Sequence, residues 1–234
     1  MTKTTPTIND LFGAGVHFGH QTNKWNPQMA KYIHSSSLGV HIIDLSQTEE
    51  KLKEACKFLE KAASENAQIL FVGTKKQASE IIKSEATRCD SSFVSNRWVG
   101  GMLTNVSTIK ASIRKLNDLT KKMNSGEFES FTKKEKRNFS IEIEKLDTIY
   151  GGMKNLTNPK ILIVVDPKKE ETAVKEAKSL GLKIVALADT NTNPKNIDYL
   201  IPGNDDAIRS ISMIVSALAD SIERGRKSFH SDKK

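Results

Sequence analysis

The sequence predicts an α/β domain on a mainly parallel β-sheet with helices on both faces, interrupted by a helical hairpin. Three observations carry this. From residue 40 onward, short apolar runs alternate with amphipathic helical stretches. The runs Gln68–Val72, Lys160–Val165 and Lys183–Ala188 are apolar after their first residue, as strands buried on both faces are. Between Asn105 and Tyr150 such runs cease, and apolar residues recur every three or four positions instead.

The elements follow in order. Residues 1–39 read as an irregular N-terminal segment with Trp25, four glycines and three of the five histidines. Within it, Ile8 to Val16 suits a short helix capped by Asn9 or Asp10. Val40–Leu45 reads as a strand of the α/β domain. Thr48 then caps a helix to about Glu65, with Leu52, Ala55, Cys56, Leu59 and Ala63 on one face. Gln68–Val72 ends at Gly73 and leads to a helix from about Gln77 to Arg88, then a short strand at Ser92–Val94. Lys160–Val165 feeds a helix from Glu170 to Leu180, which Gly181 is placed to end. Lys183–Ala188 and Asp198–Ile201 are the last strands, and a helix from Asp205 or Asp206 to about Gly225 closes the domain. The α/β domain thus spans residues 40–104 and 151–227, with a basic tail at 228–234.

The insertion, residues 105–150, carries two narrow heptad-like seams. Val106, Ile109, Ile113, Leu116 and Met123 form one, and Phe139, Ile143, Leu146, Tyr150 and Met153 the other. Asn124-Ser-Gly126 supplies a turn. Two antiparallel coiled-coil helices follow, expected to be separable from the sheet. Lys110, Arg114, Lys115, Lys121, Lys122, Lys133, Lys134, Lys136 and Arg137 lie off the seams. A basic exterior over a narrow seam suits an arm laid along nucleic acid, a protein-binding arm, or a solvated face.

The chain has 234 residues, 36 Lys and Arg against 28 Asp and Glu, and a net charge of +8. That balance favours polyanionic partners, nucleic acid before anionic membrane. No run approaches the ~20 apolar residues of a membrane span, and Met1–Pro6 has no apolar leader core. Cys56 and Cys89 fall in helices and read as reduced, buried thiols.

Catalytic signatures are sparse. Gly73-Thr-Lys-Lys76 lies at a strand's carboxyl end, where Lys75 and Lys76 suit an RNA phosphate, but a phosphate-binding P-loop needs further glycines. Gly13 to Gly19 has the wrong spacing for a dinucleotide fingerprint and no preceding strand. Asp189-Thr-Asn-Thr-Asn193 fails as a calcium loop, with Pro194 and Leu200 where glycine and glutamate belong. G-x-S-x-G is absent. His17 and His20, with His34 or His41, offer a metal set, as do Asp189, Asp205 and Asp206 if the strand ends bring them together. No cofactor is expected beyond such a structural divalent ion.

Several blocks closely resemble the bacterial small-subunit ribosomal protein two family. They are Ala14–Gln21, Trp25-Asn-Pro27 with Met29 and Tyr32, Val40–Leu45, Ile69–Lys75, Asn96–Asn105, Tyr150–Lys154, Asp189-Thr-Asn191 and Ile201–Ile208. They stand in family order across about residues 8 to 227. Two departures are Val99, where the family usually has leucine, and the short Asn155–Pro159, which lacks a Gly-Leu-Pro run. The resemblance implies a Rossmann-like or flavodoxin-like three-layer domain with a protruding hairpin. It implies a non-enzymatic component of the small subunit, between head and body, that binds ribosomal RNA and neighbouring proteins. It also implies help in anchoring ribosomal protein number one. No membrane or homo-oligomeric partner is expected. The ribosome would be cytoplasmic, an organellar one being the alternative.

Two clusters in those blocks combine a cation, an indole and an amide: Lys24, Trp25 and Asn26, and Asn96, Arg97 and Trp98. Cations neutralise phosphate, and indoles stack on bases or anchor small cores. Arg224, Arg226 and Lys227 near the C-terminus complete the candidate contacts. Two rival readings remain: a nucleotide-utilising enzyme, and an interaction scaffold whose charge is incidental.

Overall fold

The computed structural model describes residues 5–125 and 131–231. Gly126, the last residue of the expected hairpin turn, and residues 232–234 of the tail lie outside the described residues.

Five parallel strands form the main sheet, in the order β5-β4-β6-β7-β8, with β4 at Gln68–Val72, β5 at Ser92–Val94, β6 at Pro159–Val165, β7 at Lys183–Ala188 and β8 at Tyr199–Pro202. The chain leaves β4 for one edge, then returns to β6 on its other side and continues to the opposite edge. The order reverses between β4 and β6, which is the switch point of a flavodoxin-like sheet.

The period-two alternation of each strand divides the core. Ile69, Phe71, Ile161, Ile163, Val165, Val185, Leu187 and Ile201 face one side. There they meet α2 (Leu45–Ser64), α3 (Lys76–Arg88) and α7 (Ile208–Ser231) through Leu52, Leu59, Ile82, Ile214 and Leu218. Leu70, Val72, Leu162, Val164, Ile184 and Ala186 face the other side. They are covered by α6 (Glu171–Ser179) and by Ile109 and Ile113 from the first turns of α4 (Val106–Asn124). The result is three layers.

Ile109 and Ile113 share their cluster with Ile149 and Tyr150, at the end of α5 (Lys133–Tyr150). The start of one hairpin helix therefore lies against the end of the other, so the pair is antiparallel. Its base packs into the sheet's second core layer. The two ends of the α4 seam are less buried than expected: Val106 at the base and Met123 near the tip are 44% and 50% exposed. The hairpin base is tight. A Cβ at Gly152 would lie 2.3 Å from the carbonyl oxygen of Phe93 in β5.

The N-terminal segment is not irregular. It holds α1 (Ile8–Gly13), β1 (Phe18–Gln21) and β2 (Ile33–Ser37), and β3 (Val40–Ile43) pairs antiparallel with both strands. Residues 40–43 thus belong to this small sheet and not to the parallel one. Several helix starts also differ from the expected caps. Thr7, not Asn9 or Asp10, caps α1 through a capping box with Asp10. Asp44 caps α2, while Thr48 is buried and donates its hydroxyl to the carbonyl of Pro202 at 2.7 Å. Helix α7 begins only at Ile208 and runs on to Ser231, through most of what the sequence marks as a tail.

Candidate nucleic-acid interface

In open α/β sheets, ligands bind beyond the carboxyl ends of the strands at the switch point. Here that crevice is closed by the chain's own side chains. After β4, Thr74 donates its amide and hydroxyl to Glu170 Oε1 at 3.0 and 2.5 Å. An internal carboxylate thus occupies the place where a phosphate would meet the start of α3.

Lys75 is likewise engaged. Its Nζ lies 2.8 Å from Asp166, 2.6 Å from Asp205 and 2.8 Å from Asp206, with only 13% of the side chain exposed. Burial opposes its charge, but the field of Asp205 and bonds to the three carboxylates outweigh that and raise its pKa. Lys75 is therefore an internal counter-ion, which corrects its place among the RNA contacts. Lys76 next to it is exposed and has no ion-pair partner among the described residues. Asp205 is fully buried, and its Oδ2 has no hydrogen-bond partner among the described residues. Burial, reinforced by the charge of Asp166, pushes its carboxyl up to about 7.

The expected meeting of Asp189, Asp205 and Asp206 occurs here, and His20 from β1 joins it. His20 Nδ1 lies 2.8 Å from Asp189, and Nε2 lies 3.7 Å from Asp206. The bond to Asp189 outweighs burial and raises the imidazole's pKa. His20, Asp189 and Asp206 present atoms within 4.8 Å of one another, a nitrogen–oxygen set of the kind divalent ions accept. The all-histidine set is dispersed. His17 stacks between Phe12 and Phe18, with centroids 4.5 and 4.1 Å away. His41 packs against Trp25 at 5.1 Å, and His34 bonds to Ser35.

A second carboxylate organises the hairpin base. Glu176, on α6, is only 9% exposed and accepts five hydrogen bonds. Trp98 Nε1 and the Gly101 amide donate to Oε1 at 3.1 and 2.8 Å. The Leu103 amide, the Thr104 amide and the Thr104 hydroxyl donate to Oε2 at 3.0, 3.2 and 3.2 Å. Burial opposes its charge, but these donors, Gly101 foremost, hold the carboxyl below the usual glutamate value. Gly101 has φ +91°, a conformation costly for other residues. Sequence reasoning missed Glu176. Its one signal is a glutamate at the edge of the apolar face formed by Ala173, Val174 and Ala177.

Trp98 is half-buried, with its ring against the second core layer and its N–H on Glu176. Of the two readings of this indole, the anchor is the one the structure supports. Arg97 beside it is exposed and has no partner among the described residues. In the other cluster, Lys24 and Trp25 are exposed, while the Asn26 side chain accepts the amide of Gln28 at 3.0 Å and caps a short turn. On the hairpin, Lys110, Arg114, Lys133, Lys134 and Arg137 are exposed and unpaired among the described residues. Lys136 is half-buried. Arg224, Arg226 and Lys227 pair with Glu60, Asp90 and Glu223 at 3.1, 3.0 and 2.6 Å.

Residues 11–225 match the sequence profile of ribosomal protein S2. The chain belongs to the ribosomal protein S2 family. Over 222 residues it is 49% identical to the small ribosomal subunit protein uS2 of Petrotoga mobilis (strain DSM 10674 / SJ95), covering 94% of this chain and 77% of that protein. A member of the S2 family is a structural component of the small ribosomal subunit, which fits a sheet crevice filled by internal ion pairs. No helix among the described residues is long and apolar enough to cross a membrane.

Proposed function

We propose that this S2-family protein binds small-subunit ribosomal RNA through the outer surface of the hairpin and the adjoining Asn96–Asn105 loop. One observation carries the reading. Lys110, Arg114, Lys133, Lys134 and Arg137 gather on one inserted arm, with Arg97 at its base, and all six are exposed without ion-pair partners among the described residues, whereas Lys75, Arg88, Arg224 and Arg226 on the α/β domain are bonded to its own carboxylates. Lys133 and Lys134 also occupy the first turn of α5, where the helix dipole disfavours positive charge. Cations placed against local helix stability point to an external anion. Lys121 and Lys122 end α4, so both helices bring positive charge to the hairpin's tip.

The same reading includes neighbouring ribosomal proteins, with protein number one among them. Ile8, Phe12, Phe18 and Ile208 are 40%, 62%, 51% and 62% exposed. A cleft of about 840 Å³ opens between α1 and α7 beside Ile208. Exposed apolar side chains, and a cleft that Ile208 lines, suit a protein partner. A photo-crosslinking residue at position 114 or 97 should yield RNA adducts in assembled small subunits, and one at position 195 should yield far fewer. Equal yields at all three positions would refute the assignment.

A further inference from the structure

The loop from Asn96 to Asn105 must turn the chain from β5 into the hairpin, and it is fixed at both ends of that turn. Asn96 Nδ2 donates to the carbonyl of Thr148 in α5 at 3.0 Å. Trp98, Gly101, Leu103 and Thr104 all donate to one side chain, Glu176. The amide of Asn105 returns to the carbonyl of Gly101 at 2.7 Å. Arg97 lies between the two clamps, and its side chain is exposed without a partner among the described residues. An ionised carboxylate has about four lone-pair sites and no donor. Five donors therefore saturate Glu176, and no cation pairs with it among the described residues. No side chain that donates hydrogen bonds can replace it without setting donor against donor.

We infer that Glu176 is the positioning residue of the RNA interface, its carboxylate gathering the loop so that Arg97 is held ready for a backbone phosphate. This rests on the reading of Arg97 as an RNA contact proposed above. A guanidinium delivers its paired hydrogen bonds only when its backbone is held in place, because ordering a free loop on binding costs entropy that subtracts from affinity. Glu176 touches no ligand itself. It acts through the loop, and its influence should therefore be felt only where Arg97 is present.

A double-mutant cycle tests this. Wild type, Glu176→Gln, Arg97→Ala and the double variant are titrated onto small-subunit particles that lack this protein, at a temperature where circular dichroism shows all four folded. Arg97→Ala should weaken binding by about tenfold, as loss of a charge-assisted contact does. Glu176→Gln should also weaken it by about tenfold. The double variant should lose about ten- to twentyfold, far short of the hundredfold of independent effects. Trp98→Phe keeps an aromatic ring and removes one donor from Glu176. It should lose about two- to threefold, and nothing further when Arg97 is already alanine. This milder variant decides the matter should Glu176→Gln not fold. Additive losses, or full affinity in Glu176→Gln, would overturn the positioning role and leave the RNA reading standing. Full affinity in Arg97→Ala would overturn both.

Discussion

The carboxyl end of the sheet and the outer surface of the hairpin carry similar residues to opposite ends. At the sheet, Lys75, Asp166, Asp205, Asp206, His20 and Asp189 are drawn together and bonded to one another. On the hairpin, cations of the same kind stand in solvent. The contrast shows that a fold's usual ligand crevice is not evidence of a ligand. Topology supplies the crevice, and the side chains decide whether it is open. Here the ion pairs hold the N-terminal sheet and the strand ends together, and the unpaired cations gather on the inserted arm. Two adjacent lysines make the same point: Lys75 is internal structure and Lys76 is surface.

The largest effect should come from breaking the internal cluster. Lys75→Met would leave Asp166, Asp205 and Asp206 without their shared cation. Removing one partner of a buried ion pair costs about 3–5 kcal/mol, so chemical denaturation should show a drop of that order. Lys76→Met should stay within about 0.5 kcal/mol of wild type. Equal effects would erase the distinction between the two regions.

Trp98→Ala comes next. A buried tryptophan truncated to alanine costs about 3–5 kcal/mol. Half-burial places Trp98 near or below the lower end, and Glu176 also loses a donor. Thermal melts of the isolated protein should fall by several degrees. An unchanged melt would return this indole to the RNA-stacking role.

A smaller effect is expected from pH. Asp205 has its carboxyl raised from 3.8 to about 7 by burial and by Asp166, and His20 is raised by its bond to Asp189. For a raised pKa, the folded state holds the proton more tightly than the unfolded chain. The stability contributed by Asp205 is complete below pH 3.8 and lost as pH rises through about 7. That of His20 is complete below 6.5 and lost above it, as pH passes its raised pKa. Melting temperature should therefore fall from pH 6 to 8, and Asp205→Asn should flatten the fall. An equal slope in that variant would show that Asp205 is ionised throughout.

How much of this was legible in the sequence depended on the range of the interaction. The strands β4, β6 and β7 announced themselves because burial on both faces demands unbroken apolar runs. The small N-terminal sheet did not, because β2 is Ile-His-Ser-Ser-Ser, mostly exposed and without alternation. Gly101 takes a positive φ where the chain turns from the sheet into the hairpin, a conformation that glycine makes accessible. Lys75 was misassigned because its partners lie 91, 130 and 131 positions away, and no local pattern reports them. Glu176 was passed over for the same reason, since in its own helix it looks like one more polar residue. The hairpin was legible as helices, but its burial against the sheet was not. Ile109 and Ile113 belong both to the seam and to the sheet's core layer, and spacing cannot separate the two.

RNA binding should be carried by the exposed cations of the hairpin and not by those of the sheet. The most direct test measures affinity for small-subunit ribosomal RNA against salt, for wild type and for a variant with Lys110, Arg114, Lys133, Lys134 and Arg137 all changed to alanine. The log of the binding constant should fall linearly with log salt for wild type. The variant should keep its cooperative melt and lose about 0.7–0.9 of slope for each cation that neutralises a phosphate. A flat salt response in wild type, or an unchanged slope in the variant, would show that these cations do not carry the binding.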